Sequence, residues 1–448
     1  MTIPVTRELA AFVRTTAWGD LPETAQHAAR RTAGNALALA TGAAEHPAVA
    51  IALRTLMARQ APEQAGLLGR PERLGLLDSP LINGIGMHVE DFDDTHLRTV
   101  VHPGAPVVPA ALAAAEWVGA SGTDTLTAIA VGIEVALRVG NGICPEHFNL
   151  GWHLTSTVGH LGAAAAAGKL LELTEDQLVV ALGLGATQAA GLTAALGTMT
   201  KPFHPGKAAS DGVEAALLAA RGFTGPEQPI EGRRGFAHTA SPKVDLEAMV
   251  VDLGRSWELE ANAFKPYACG IVSHPVIDAG ILLRDLVDPD DIDRVEVTVH
   301  PVVLEVMGVE DPRDGLQSKF SVYHAFAMGL LDAAGGPHQF SGERARAPEV
   351  VALRGRVTIT TTPDVPKGAA QVTVHTTDGE QHRVEVPHAT GSVERPMTDD
   401  QLRTKADLVA RPRLGDRTDA FLDLAFGIDA LPRVEDLFAA SQPEVSGD

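Results

Sequence analysis

Cysteine is nearly missing from this chain: Cys144 and Cys269 are the only two in 448 residues. They stand far apart in sequence, so no disulfide framework is expected and a reducing compartment fits better. Two thiolates also cannot supply the usual ligand set of an iron–sulfur cluster. Aromatic residues are scarce at 4%, which removes the aromatic walls that a carbocation-shaping cavity needs. Basic residues are in deficit: 36 Lys+Arg against 57 Asp+Glu gives 36 − 57 = −21. That acidity is spread along the chain, which argues against nucleic acid as a partner but leaves anionic small molecules open, because a pocket's local field can oppose the net charge. The N-terminus lacks the apolar run of a signal peptide and carries Arg7, Glu8 and Arg14 instead, so the chain reads as cytoplasmic. One charge-free stretch, 178–200, is long enough to span a bilayer. It holds Gly183, Gly185, Gly191, Gly197 and Gln188 with no aromatic belt, so it reads as buried soluble helix and no membrane is expected.

A chain of this length suits two or three domains and can enclose a pocket. From about residue 5 to 265 alanine-rich segments place apolar residues three and four apart, the signature of a helical bundle. "PAALAAAEWVGA" predicts a helix starting at Pro109, and Thr174-Glu-Asp-Gln177 is a capping box opening another. Beyond about Ser273 the texture changes. "RVEVTVH", "RVTITT" and "QVTVHTTDGEQHRVEV" alternate with period two, Asp378-Gly379 predicts a type I′ hairpin turn, and helices lie between, which together predict a compact α+β unit. Thr398-Asp-Asp-Gln401 opens closing helices that return to the first part, and the last residues, "SQPEVSGD", are expected to fray. The fold class is therefore mainly α: a large all-α helical domain plus a smaller α+β lid.

The chemistry concentrates in "EDFDDTHLRTVVHPG" (Glu90–Gly104), with four carboxylates and two imidazoles in fifteen residues. Asp and His together make hard-cation or zinc sites. No HExxH, two-His-one-carboxylate or EF-hand spacing supports one here. Alternatively, Asp93-Asp94-Thr95 caps a helix or turn and His96 bonds to backbone. Taken alone the segment leaves capping and a site equally open. Four other motifs set a lone basic side chain beside Gly or Pro, as ligand-presenting loops do: "HPG" at His102, "GWH" at His153, "TKPFHPGKAA" at Lys201 and "FKPYACG" at Lys265.

Those stretches, with "NGIGMHVEDFDDTH", "GWHLTSTVGHLGAAAAAGKLL", "FKPYACGIVSHPVIDA" and "RPMTDDQLRTK", resemble the MmgE/PrpD family, which includes 2-methylcitrate dehydratase and cis-aconitate decarboxylase. The resemblance runs in order to about residue 410. It implies a homodimer with a helical domain (1–267 and 397–448), an α+β lid (268–396), and between them a pocket for a small carboxylate that uses no metal or other cofactor. Carried over residue by residue, it places Asp91, Thr95, His102, His153, Lys201 and Lys265 at the site. Dehydration, decarboxylation and epimerisation beside a carboxylate all pass through a carbanion- or enolate-like species, which lysines stabilise and a histidine protonates or deprotonates. His102 is then the main acid/base group, and Asp91 orients or tunes it. Lys201 and Lys265 hold carboxylates, His153 is a second polar or proton-transfer group, and Thr95 bonds substrate. His274 either lines the pocket or caps the following helix; His88 and His204 orient neighbours; Cys269 is a packing residue. Ala268, Cys269, Gly270 and Ile271 depart from the more polar sequence of relatives, and Gly34 stands where many have Asp. Dehydration of a hydroxy di- or tricarboxylate is the first expectation, decarboxylation the second, isomerisation or epimerisation the third, and a non-catalytic carboxylate-binding protein the alternative of another class.

Overall fold

The computed structural model describes residues 3–443. Its centre is the Leu154–Leu170 helix, whose residues are all buried except Lys169. Alanine and glycine on every face let neighbouring helices come close, because no long side chain holds the backbones apart. The helices Gly104–Val118, Gly122–Ile143, Glu175–Gln188 and Thr200–Ala220 pack around it. A Cβ on Gly132 would meet the Gly162 carbonyl at 2.7 Å, and one on Gly212 would meet the Ala163 side chain at 2.4 Å. One of these helices, Gly122–Ile143, is long and apolar enough to cross a membrane, but 94% of its apolar window is buried inside the protein.

Both predicted capping boxes form: Thr174 and Thr398 each accept from the residue three along, and Gln177 and Gln401 bond back. The closing helices Asp399–Leu414 and Thr418–Phe426 pack on Glu23–Gly42. Gly34 has a steric reason there, since a Cβ would sit 2.5 Å from the Phe426 ring.

Several details depart from the sequence reading. The helix expected at Pro109 starts at Gly104 and runs through Pro109, a proline in its second turn. Helical texture stops near Ala220 rather than 265; up to Glu258 only Phe236–Ala240 is helical, in a Gly- and Pro-rich stretch that cannot sustain a ladder. The charge-free stretch 178–200 is broken after Gln188 by Gly191 at φ 126° and by a 3-10 turn. Fraying was expected from Ser441; that residue is buried and its hydroxyl accepts from Gly69 N–H, while 444–448 lie outside the described residues.

The later part carries a four-stranded sheet in the order Val357–Thr361, Ile292–Val299, Ala370–Thr376, Gln381–Val386. The first pair is parallel and the other two antiparallel. Val295, Val297 and Val299 alternate inward onto the core. The hairpin turn is not type I′, because only Gly379, at φ 89°, is left-handed. Gly379 N–H bonds the Thr376 carbonyl, and Thr376 N–H bonds that of Glu380, a type I turn closed by a glycine bulge. The His274–Leu283 helix packs on this sheet and on Val322–Asp332. One apolar core runs through the bundle and into the sheet valines.

The Asp78–Val89 helix crosses Thr200–Ala220 where Gly84 faces Gly206 at backbone contact; a Cβ on Gly84 would lie 2.6 Å from Gly206 Cα. This crossing sets the "EDFDD" loop beside Lys201. Gly84→Ala should therefore destabilise the protein by about 1–3 kcal/mol, the usual cost of overpacking. Thermal melting checks this, and an unchanged Tm would mean that the two helices separate without cost.

Candidate active site

The loop after Val89 turns sharply because Asp91 adopts a left-handed backbone, φ 50°, with its N–H on the His88 carbonyl. Three residues later the chain becomes a short strand, Asp94–His96, paired antiparallel with Asn262–Phe264 so that Asp94 faces Phe264. The ribbon carries Lys265 to the loop, where its N–H bonds the Asp93 carbonyl. Segments 170 residues apart in sequence thus meet by backbone pairing. Asp94 and Thr95 belong to a strand, yet Asp94 Oδ2 accepts the N–H of Gly104, the first residue of the Gly104–Val118 helix, so the capping reading holds for Asp94; it fails for the His96 side chain, which bonds Thr99 Oγ1 at 2.8 Å and Glu258 at 3.2 Å instead of backbone.

Asp91 Oδ1 receives both lysines: Lys201 Nζ in a close ion pair, and Lys265 Nζ at 2.9 Å. Lys265 also donates to the Asp91 carbonyl at 3.2 Å. Burial alone would raise the Asp91 carboxyl, but the two ammonium groups outweigh it and hold it well below the ordinary range. Lys201 is itself lowered by burial, against the pull of Asp91.

The expectation that Asp91 orients His102 is therefore corrected, because its carboxylate is taken up by the lysines. The acid that touches the His102 ring is Asp93. Its Oδ1 lies 3.3 Å from His102 Nδ1, and its Oδ2 accepts from His88 Nδ1 at 2.6 Å. His102 Nδ1 also lies 2.9 Å from the Asp94 carbonyl and 3.0 Å from Thr95 Oγ1. Surrounded by acceptors, Nδ1 carries the proton in the tautomer that the network assigns, leaving Nε2 with its lone pair. Burial lowers His102 below its usual 6.5, helped by Lys265 and Lys201 and opposed by Asp93. His88 is pushed by burial to about 3, so Asp93 is an ionised acceptor between neutral imidazoles.

Imidazoles continue away from His102. His88 stands edge-on to it with ring centres 4.9 Å apart and stacks on His153 at 5.9 Å, and His153 Nδ1 lies 3.0 Å from His204 Nδ1. His153 precedes the Leu154–Leu170 helix and lies well below its ordinary value, mainly by burial and then by His88 and Lys201. Thr155 of that helix accepts the His102 backbone N–H at 3.1 Å. Gly104 of "HPG" is required, because a Cβ there would sit 2.6 Å from the Asp94 carboxylate that accepts its N–H.

Asp91, Thr95, His102, His153, Lys201, Lys265 and His274 line one cavity of about 410 Å³. His274 opens its helix and is pushed to about 3 by burial, then by Lys265; its Nε2 is 3.3 Å from the Cys269 carbonyl. Cys269 is buried outside this lining, its thiol pushed up to about 12 by burial. His88, Asp93 and His102 also place ligand atoms within 4.8 Å of one another, a spacing that a divalent cation would fit.

The sequence reading missed two lysines. Lys319 donates at 2.8 Å to both the carbonyl and the carboxylate of Glu90. Lys405 donates to the Phe92 carbonyl at 2.6 Å, lies 4.3 Å over the Phe92 ring, and is lowered by burial to about 7. Lys405 ends the "RPMTDDQLRTK" motif, which was a usable signal; nothing in the surroundings of Lys319 marks it.

Imidazoles with displaced proton affinities facing two ammonium groups in one largely buried cavity are the equipment of an enzyme that moves a proton beside a carboxylate. Comparison with known proteins narrows this. Residues 7–249 match the MmgE/PrpD N-terminal domain and 267–425 the MmgE/PrpD C-terminal domain, and the chain belongs to that family. It is 27% identical over 465 residues to a cis-aconitate decarboxylase of Aspergillus terreus, covering 97% of this chain and 95% of the relative. To the Mus musculus cis-aconitate decarboxylase it is 30% identical over 364 residues, 75% of this chain and 72% of the relative. The Homo sapiens one is 32% identical over 319 residues, 66% and 64% respectively.

Asp93→Asn should lower kcat about a hundredfold by releasing the imidazole from its orientation. Because Asp93 raises His102, its loss should also move the histidine limb of the pH–kcat/KM profile to lower pH. An unmoved limb would show that Asp93 is only structural.

Proposed function

We propose that the chain is a lyase that decarboxylates a small β,γ-unsaturated polycarboxylate of the cis-aconitate type. The observation that carries this is the pairing of Lys201 and Lys265 in the same cavity as His102. When the carbon–carbon bond to the departing carboxylate breaks, its electron pair spreads through the double bond toward a second carboxylate. The two ammonium groups stabilise that charge as it forms. His102, protonated on both nitrogens, delivers the Nε2 proton to the allylic carbon and returns to the neutral form, keeping Nδ1–H on its three acceptors. Thr95, His153 and His274 orient the substrate. Three of the relatives named above, all cis-aconitate decarboxylases, support decarboxylation over the dehydration expected first.

A second reading, dehydration of a hydroxy acid, is supported by the lowering of His102 through burial, which favours the neutral ring that removes a proton. For decarboxylation the substrate must bring the proton requirement with it. Its carboxylates offset Lys201 and Lys265, both of which lower His102, so a proton is taken up on binding. No organic cofactor or metal is invoked, and residues 268–396 act as the lid over the cavity. Leu192, Met199 and Phe203, exposed and close together in sequence, support a homodimer interface on this part of the helical domain. Phe203→Asp should convert a dimer to monomer by light scattering; a wild-type monomer would overturn this.

The reaction is tested by incubating the enzyme, with and without chelator, with unsaturated and hydroxy polycarboxylates in deuterated water and following carbon dioxide, water loss and deuterium uptake by NMR. The expected result is carbon dioxide release with one deuterium incorporated, unaffected by chelator and abolished by His102→Ala. The pH profile gives an independent sign. A proton donor whose folded value lies below 6.5 makes kcat/KM for decarboxylation fall as pH rises through that value, whereas dehydration by the neutral ring would make it fall as pH drops.

A further inference from the structure

We infer that the acid carries an apolar alkyl chain, which lodges in the outer part of the cavity under the Val302–Met307 helix. This rests on the carboxylate-binding role of the lysine floor and adds the substrate class. Away from that floor the lining carries Val100, Leu196, Ile271, Val302 and Val306, each only partly buried, while the Phe320 ring packs 5.4 Å from Lys201 Nζ at the floor itself. Val302 and Val306 stand one turn apart on the same face of the short helix, with Glu305 beside them at the mouth. Gly270 brings the following 3-10 turn, Ile271–Ser273, against that helix; a Cβ at Gly270 would lie 2.1 Å from Met307 sulfur, so any larger residue would displace the Met307 side chain from this contact.

The charges point the same way. Lys201 and Lys265, the two buried cations of the lining, already share Asp91. Arg98 is 69% exposed and turned toward Glu258 at 3.7 Å, and Lys367 is exposed at the rim. Glu305 has no basic partner within ion-pair distance among the described residues, so its carboxylate opposes a further anion at the mouth. A third substrate carboxylate in this outer space would meet only the exposed Arg98 and Lys367 at its edge, a weaker counterion than a buried ammonium group. A hydrocarbon chain there gains about 0.8 kcal/mol for each methylene buried, about fourfold in affinity.

The test uses unreactive dicarboxylates, so it does not depend on turnover. Dissociation constants are measured calorimetrically for succinate, methylsuccinate, propylsuccinate and pentylsuccinate, with propane-1,2,3-tricarboxylate as the polar control. The expected Kd falls about threefold to fourfold per methylene until the chamber is full, and propylsuccinate binds tighter than the tricarboxylate. Val306→Trp, which fills the chamber, should raise the Kd of pentylsuccinate at least tenfold relative to that of succinate. A flat series, a tricarboxylate that binds tighter than propylsuccinate, or a chain-length dependence untouched by Val306→Trp would each overturn the proposal. If alkylsuccinates bind in a rising series but no unsaturated acid is decarboxylated, the proposed reaction fails while the chamber stands.

Discussion

Three lysine side chains donate to three successive carbonyl oxygens, and the site depends on that grip. Lys319 binds the carbonyl of Glu90, Lys265 that of Asp91 and Lys405 that of Phe92. The three come from unrelated parts of the chain: the sheet-bearing region, the segment after the Asn262–Phe264 strand, and the closing Asp399–Leu414 helix. A turn with a left-handed aspartate at its apex is poorly populated on its own. Charge-assisted bonds to its backbone compensate for that conformation. The loop therefore has its working shape only when all three segments have docked, which ties the chemistry of the site to completion of the fold.

What the sequence made legible follows from what local rules can see. Capping boxes, period-two strands and the alanine-rich bundle are encoded within a few residues, and Thr174, Thr398 and Val295–Val299 behave as read. The residues gathered around the cavity were legible through motif resemblance. The role of Asp93 was not, because neighbouring aspartates are equivalent in sequence and only the turn decides that Asp91 faces ammonium while Asp93 lies between imidazoles. Lys319 was invisible for the related reason that its partner is a backbone carbonyl 229 positions away. The misread turn at Asp378-Gly379 came from a dipeptide compatible with two hairpin geometries.

Burial controls the electrostatics of the cluster. It drives the imidazoles of His88, His102 and His153 toward neutrality, whereas Asp91 and Asp93 stay ionised because their partners outweigh desolvation. Carboxylates and imidazoles are both shifted downward, which leaves the acids charged and the rings neutral within one small volume.

Because one carboxylate oxygen of Asp91 already sits on Lys201 and Lys265 while the other has no partner, the protein keeps an anion of its own where a ligand's anion would go. Arrival of a ligand is then an exchange of counterions between an internal tenant and a visitor, and departure never leaves bare ammonium groups in a dry pocket. A site of this design trades part of its maximal grip for ready release, since the resident aspartate is in place to reclaim both lysines from any anion that loosens.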